Sequence, residues 1–357
     1  MNKKFAVLIL TLMMVMSVVL AGCGSKQEPK EAMKSAATNA MKMTSYEMKS
    51  KVVINDLKVT TKDTANDPSM DQVINMVKNA DITVDGVYQQ EPMQSELTMG
   101  INLKGDMSMS FNIPMVMTKE KLYVKVPSIP MLPLPESVVG KYLVLDLKEL
   151  AEQQGTNVNS LDTAKTQKLS NEVMNTLFNE YDGTKYFKDI DTKDAHLPEG
   201  VDAKQVVQFF VTNDNVKEAA DIFINKALPK ILDIISKDEY KDVVGLSKEE
   251  IDNAKNELNS TSKNDLNKGL NDLKNYVKIN QFNVNTAINK KGFPTYQDMI
   301  MNAEFNDPDT KDNVLLSMQG SNIYSKINEK QTFKIGIPKD TEVVTMEEFQ
   351  KQMNGVN

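Results

Sequence analysis

One cysteine, one histidine, no arginine and no tryptophan stand among the 357 residues of this sequence. Each shortage removes a class of chemistry. A single thiol, Cys23, cannot close an intrachain disulfide or build a thiolate metal site, so burial alone must hold the fold together. His196 lies in Asp194-Ala-His-Leu-Pro-Glu199, a loop-like context that leaves one imidazole for any nucleophile–base pair. No Gly-x-Ser-x-Gly, His-Glu-x-x-His or phosphate-cradling glycine loop accompanies it. The expectation is a non-enzyme, with no catalytic residue and no cofactor. All 42 cationic residues are Lys, set against 49 acidic ones for a net charge of -7. Without Arg there is no bidentate clamp for phosphate or carboxylate, and no basic footprint for nucleic acid. Beyond residue 22 no apolar run approaches the ~20 residues of a membrane-spanning helix.

The first residues divide into three zones. Lys3 and Lys4 are followed by an almost wholly apolar stretch from Phe5 to Val19, and then by Leu20-Ala21-Gly22-Cys23. This pattern is a secretory signal rather than a stable membrane span. Leu-Ala-Gly-Cys resembles the lipobox of bacterial lipoproteins, in which small residues admit the peptidase and the thiol carries diacylglycerol. The resemblance implies a signal peptide over residues 1–22 and a lipid-modified, palmitate-bearing Cys23 at the mature N-terminus. It also implies anchorage to the extracytoplasmic face of the cell membrane. Residues 23–31 read as a polar tether, and 32–357 as a single large α+β domain.

Along that domain the apolar period changes twice. Glu31 to Met43 carries a helix-period Ala/Met stripe, and Tyr46 to Thr60 is strand-like. Asp63 to Ala80 reads as an insert. Leu97, Met99, Ile101 and Leu103 then alternate with polar partners. After Lys104-Gly105-Asp106, a hairpin signal, Met107, Met109, Phe111, Ile113, Met115 and Met117 continue at every second position. Such strands are antiparallel with one covered face. Further strands are expected at Leu122 to Val126 and Val139 to Leu147, joined by a proline-rich crossover from Pro127 to Pro135. A long helical middle segment follows. It comprises Leu161 to Tyr181, Asn215 to Ser236 with a kink at Pro229, a helix opened by the capping box Ser247–Glu250, and Thr261 to Tyr276. Strands return at Val277 to Ile288, Pro294 to Phe305, Val314 to Gln319, Asn322 to Ile327 and Thr332 to Ile337. Thr345–Glu348 caps a terminal helix.

This layout is similar to the superfamily of the outer-membrane lipoprotein carrier LolA and the mycobacterial lipoproteins of the LppX and LprG type. The likeness rests on the lipobox, the Ala/Met helix ending in Met43-Thr-Ser-Tyr46, and the hairpins with Lys121-Leu-Tyr-Val124. Ile335-Gly-Ile-Pro338 before a final acidic helix completes it. The resemblance implies a curved antiparallel sheet, a half-barrel, wrapping helices around an apolar cavity that takes lipid or acyl chains.

The Met stripe is the residue pattern that suits such a cavity, because thioether side chains adapt to ligands of varied shape. Met99, Met107, Met109, Phe111, Ile113, Met115 and Met117 are the candidate ligand-contacting residues, with plain core packing as the alternative. Strand alternation accounts for the same spacing without a copper site. Asp189-Ile-Asp191-Thr-Lys193 and Asp307-Pro-Asp309-Thr-Lys311 begin like calcium loops but place Lys where an oxygen ligand belongs, so no metal is assigned. The expected partners are the membrane through the lipid anchor and a lipid or other apolar ligand. An envelope sensor or protein-interaction module is the alternative, and a transporter's solute-binding lipoprotein a further one.

Overall fold

The computed structural model describes residues 26–60, 74–104 apart from 76 and 79, 108–129, 134–153, 163–260 apart from 245, 275–307 and 310–354. Cys23, Met107, most of the 63–80 insert and the helix expected from Thr261 lie outside them. Helix α1 (Pro29–Ala40) leads into β1 (Ser45–Thr60), β2 (Asp81–Gln89), β3 (Gln94–Leu103), β4 (Met109–Thr118), β5 (Lys121–Lys125) and β6 (Tyr142–Asp146). Helices α2 (Leu147–Gln153), α3 (Thr163–Glu180) and α4 (Gly183–Tyr186) precede β7 (Phe187–Ile190) and β8 (Gln205–Val211). A second helical run contains α5 (Val216–Ile222), a π-helical turn (Phe223–Ala227), α6 (Leu228–Ile235), α7 (Lys241–Val244) and α8 (Lys248–Ser260). Strands β9 (Val277–Ile288), β10 (Pro294–Asn306), β11 (Asn313–Ser325) and β12 (Val343–Thr345) come before the terminal helix α9 (Met346–Asn354).

The class is α+β. Twelve strands among the described residues form one curved, unclosed sheet in the order β12-β6-β5-β4-β3-β2-β1-β11-β10-β9-β8-β7. Every ladder is antiparallel except the short β12–β6 pair. The expected hairpin is present, with Leu103 opposite Met109 across the β3–β4 ladder. Both capping boxes form. The Ser247 amide donates to Glu250 while the Glu250 amide donates back to Ser247 Oγ, and Thr345 and Glu348 repeat the exchange.

Local differences from the sequence pattern have physical causes. Strands β7 and β8 break into the middle of the chain, which is therefore not one continuous helical segment. Val206 and Val207 are both buried, so β8 has two covered faces and no two-residue alternation to read. Residues 314–327 do not form two strands. Gly320 stays extended between Val52 and Met299, and β11 runs through it. Residues 331–339 are an irregular strap over the sheet, not a strand. Pro29 opens α1 instead of belonging to the tether, at a first-turn position where its missing N–H is not needed. Near Pro229 the helix absorbs the proline through the π turn, in which the Leu228 amide donates to Phe223 O.

Paired strand residues assign the packing to two faces. On the inner face Ala32, Met33 and Ala36 of α1 pack on Phe187, Val207 and Val211. At the opposite end of that face Val126, Val138, Leu143 and Val344 meet Phe349 of α9. The outer face is covered in two patches. Leu197, Val201 and Ala203 lie over Val206, Ala287 and Tyr296, and Ile335 lies over Val116, Tyr123 and Tyr142.

Candidate functional site

Residues directly opposite in an antiparallel ladder point to the same face. On the inner face Phe187 faces Phe209, which faces Val284, which faces Met299. Met299 is opposite Gly320, Gly320 opposite Val52, Val52 opposite Ile82, Ile82 opposite Ile101, and Ile101 opposite Phe111. This row crosses nine strands, and Gly320 is its single member without an apolar side chain. At ~4.8 Å per strand it is roughly 38 Å long.

Most of the stripe expected from the sequence lies at the β3–β4 end of this face. Met99 pairs with Ile113, Leu97 with Met115, Ser95 with Met117, and Leu103 with Met109. All six described stripe residues (Met99, Met109, Phe111, Ile113, Met115 and Met117) are half-buried. The helices with the most extensive sheet contacts lie elsewhere, α1 over β7–β10 and α9 over β6 and β12.

The row's other end runs under α3 into a cavity of about 400 Å³. Its roof is Met174, Leu177 and Phe178, one face of α3 at helical spacing, with Tyr181 just past the helix end and Met33 of α1. Phe187, Phe209, Phe282 and Val284 form the floor. The single hydroxyl among these residues, on Tyr181, donates to Ala219 O at 3.1 Å, and burial raises its pKa above that of a free phenol. The lining contains no charged side chain. None of the stripe residues lines this cavity; the two regions share a face and are joined by the row. The helix-spaced set 174, 177, 178 and 181 was the available sequence signal. Its pairing with Phe209 and Phe282 depends on strands far away in the chain.

The next row on the inner face is mixed. Thr286, Gln297, Asn322 and Ser50 lie in register at its centre, and Gln297 Nε2 donates to Thr286 Oγ1 at 3.3 Å. Val84, Met99 and Ile113 extend it as apolar side chains. At the edge toward the β9–β10 hairpin, Tyr46 packs on Tyr88 and Tyr324, with ring centroids 5.3 and 5.6 Å away. Burial, then the neighbouring Tyr324 and Tyr88, push the Tyr46 phenol up to about 12.

The acidic loops serve as turns. Asp191 Oδ1 accepts from the Lys193 amide and Asp307 Oδ1 from that of Thr310; Asp309 lies outside the described residues. Among the described residues no group of three His, Cys, Asp or Glu side chains gathers as a metal site. His196 is exposed, at a φ of 46°. No family model matches this chain, and no curated protein matches it.

Proposed function

We propose that this protein is a membrane-tethered extracytoplasmic lipoprotein, related in fold to the half-barrel carriers, that binds a lipid or another apolar ligand on its inner face without catalysing a reaction. The observation that carries the reading is the apolar row across nine strands that ends in a cavity lined by Met, Leu, Phe, Val and one internally satisfied Tyr. Such a lining rewards apolar surface and has no charged group to orient a polar solute. The Met side chains of the stripe add a surface that can repack around chains of different length. The antiparallel sheet supports this reading over that of a transporter's solute-binding lipoprotein. The anchor at Cys23 rests on the lipobox alone.

Native mass spectrometry of the protein expressed without its signal tests the reading. The expected spectrum contains an apolar molecule bound to the wild-type protein. Leu177→Trp, which extends an indole into the cavity, should displace it while leaving the protein folded. A wild-type protein that is empty, and that takes up no added fatty acid, would overturn the carrier reading. A protein partner recovered from cross-linked cells would then favour the interaction-module alternative.

A further inference from the structure

A second cavity of about 330 Å³ lies where the β9–β10 hairpin meets the end of β11. Lys290, Lys291 and Lys326 line it together with Tyr324, and Asp202 and Glu329 share its rim. Lys326 is committed to Glu47 at 2.7 Å. Among the described residues the ammonium groups of Lys290 and Lys291 have no such partner. Their hairpin is firmly built. Asn289 Oδ1 accepts from the amides of Lys291 and Phe293, Gly292 takes a φ of 81°, and Asn39 Nδ2 ties Gly292 O to the end of α1.

The tether reaches the same end of the sheet. The Gln27 amide donates to Gln205 Oε1 at 3.2 Å, and Gln205 Nε2 donates to Gln27 O at 2.7 Å. Gln205 is buried and stands opposite Ile288, the last residue before the hairpin. Cys23 stands four positions before Gln27 in the sequence, a reach of at most about 14 Å. A lipid on Cys23 therefore holds this edge, and not the far edge with the β3–β4 and β10–β11 turns, against the membrane.

We propose that Lys290 and Lys291, with Lys326 beside them, form a docking site for the anionic headgroups of the membrane in which Cys23 is anchored. Gln205 sets the orientation by clamping the tether, and the hairpin lysines meet the lipid phosphates. Tyr324 lies at this cavity and on the inner face, so docking turns that end of the apolar face toward the bilayer. The inference rests on the lipoprotein reading but not on the presence of an apolar ligand. Its attraction is electrostatic and must weaken as salt is raised.

The test is flotation of the mature chain, residues 23–357, made without acylation. One set of vesicles is phosphatidylcholine alone and the other is equimolar phosphatidylcholine and phosphatidylglycerol. The wild-type protein is expected to bind only the second. K290Q/K291Q should weaken that binding about 25-fold, at roughly fivefold per lysine near a charged surface. K58Q/K311Q removes the same charge from the opposite end of the sheet and should leave binding unchanged. Equal losses from both double variants would reduce the effect to net charge and overturn the site. Titration with inorganic phosphate that saturates as tightly as the vesicles would also overturn it, in favour of a free anion. Vesicle binding that persists in Leu177→Trp, or a retained apolar ligand in K290Q/K291Q, separates the failure of one proposal from the failure of the other.

Discussion

Glu96 stands on the outer face of β3, 4% exposed, beneath the strap at 331–339. Its Oε2 accepts from the amides of Lys334 and Ile335 at 2.7 and 2.8 Å, and Oε1 accepts from that of Gly336 at 2.6 Å. One carboxylate thus satisfies three backbone donors that no ladder serves, which explains how this irregular segment is held on the sheet without being a strand. Glu96→Gln leaves one acceptor oxygen and turns an NH₂ toward an N–H. The expected loss is about 3 kcal/mol, read as a lower urea midpoint at unchanged m-value. The sequence motif Ile335-Gly-Ile-Pro338 was visible, but the carboxylate that captures it lies 240 positions from Gly336. Gly86 is similarly silent in sequence. A Cβ there would lie 2.6 Å from Leu97 Cδ2, so a larger residue would require the Leu97 side chain to move.

Between helices, the contact that joins α3 to the turn after α6 is polar at its rim. Lys237 Nζ donates to Glu172 at 2.6 Å, and the fully buried Tyr240 hydroxyl donates to the other oxygen at 2.8 Å. The Lys237 bond, followed by the Tyr240 bond, holds the Glu172 carboxyl below its ordinary value of 4.5. Burial, then Glu172 itself, pushes Tyr240 up to about 12. A depressed carboxylate contributes stability above its unfolded pKa and loses it as pH falls through the folded one. Thermal unfolding followed from pH ~6 to pH ~3 should therefore fall less steeply in Glu172→Gln than in the wild type. The difference should be small, because Lys237 is 45% exposed and the pair is screened. Helix α3 itself was readable from its period, as were β3, β4, β9 and β10. Strand β8 was not, because α1 covers one of its faces and the 195–203 segment the other.

At the scale of the whole sheet, segments far apart in the sequence meet at its centre. Strand β1 lies between β2 and β11, so residues 45–60 and 313–325 join two halves built from opposite ends of the sequence. The outermost strands are short, β7 with four residues and β12 with three, which limits the free edge offered to another chain. A chain ended after Asn306 lacks β11 and leaves β1 and β10 without their shared partner. It should show no cooperative unfolding transition by circular dichroism or tyrosine fluorescence, whereas the full domain should show one.

What the sequence determined by itself is local. Alternation set which residues of β3 and β4 share a face, helical spacing set α1 and α3, and Ser/Thr with Glu three positions later marked the starts of α8 and α9. The secretory address proposed for residues 1–23 rests likewise on the sequence alone. The tertiary structure decided what those faces meet. It set the Met stripe and the aromatic cavity on one inner face, joined through Met299, Gly320 and Val52, and it brought Gln27 to the edge that carries Lys290 and Lys291. Periodicity depends on neighbours within a few residues, so it can be read along the chain. Strand order and register are fixed by non-local pairing across hundreds of residues, and no local pattern encodes them.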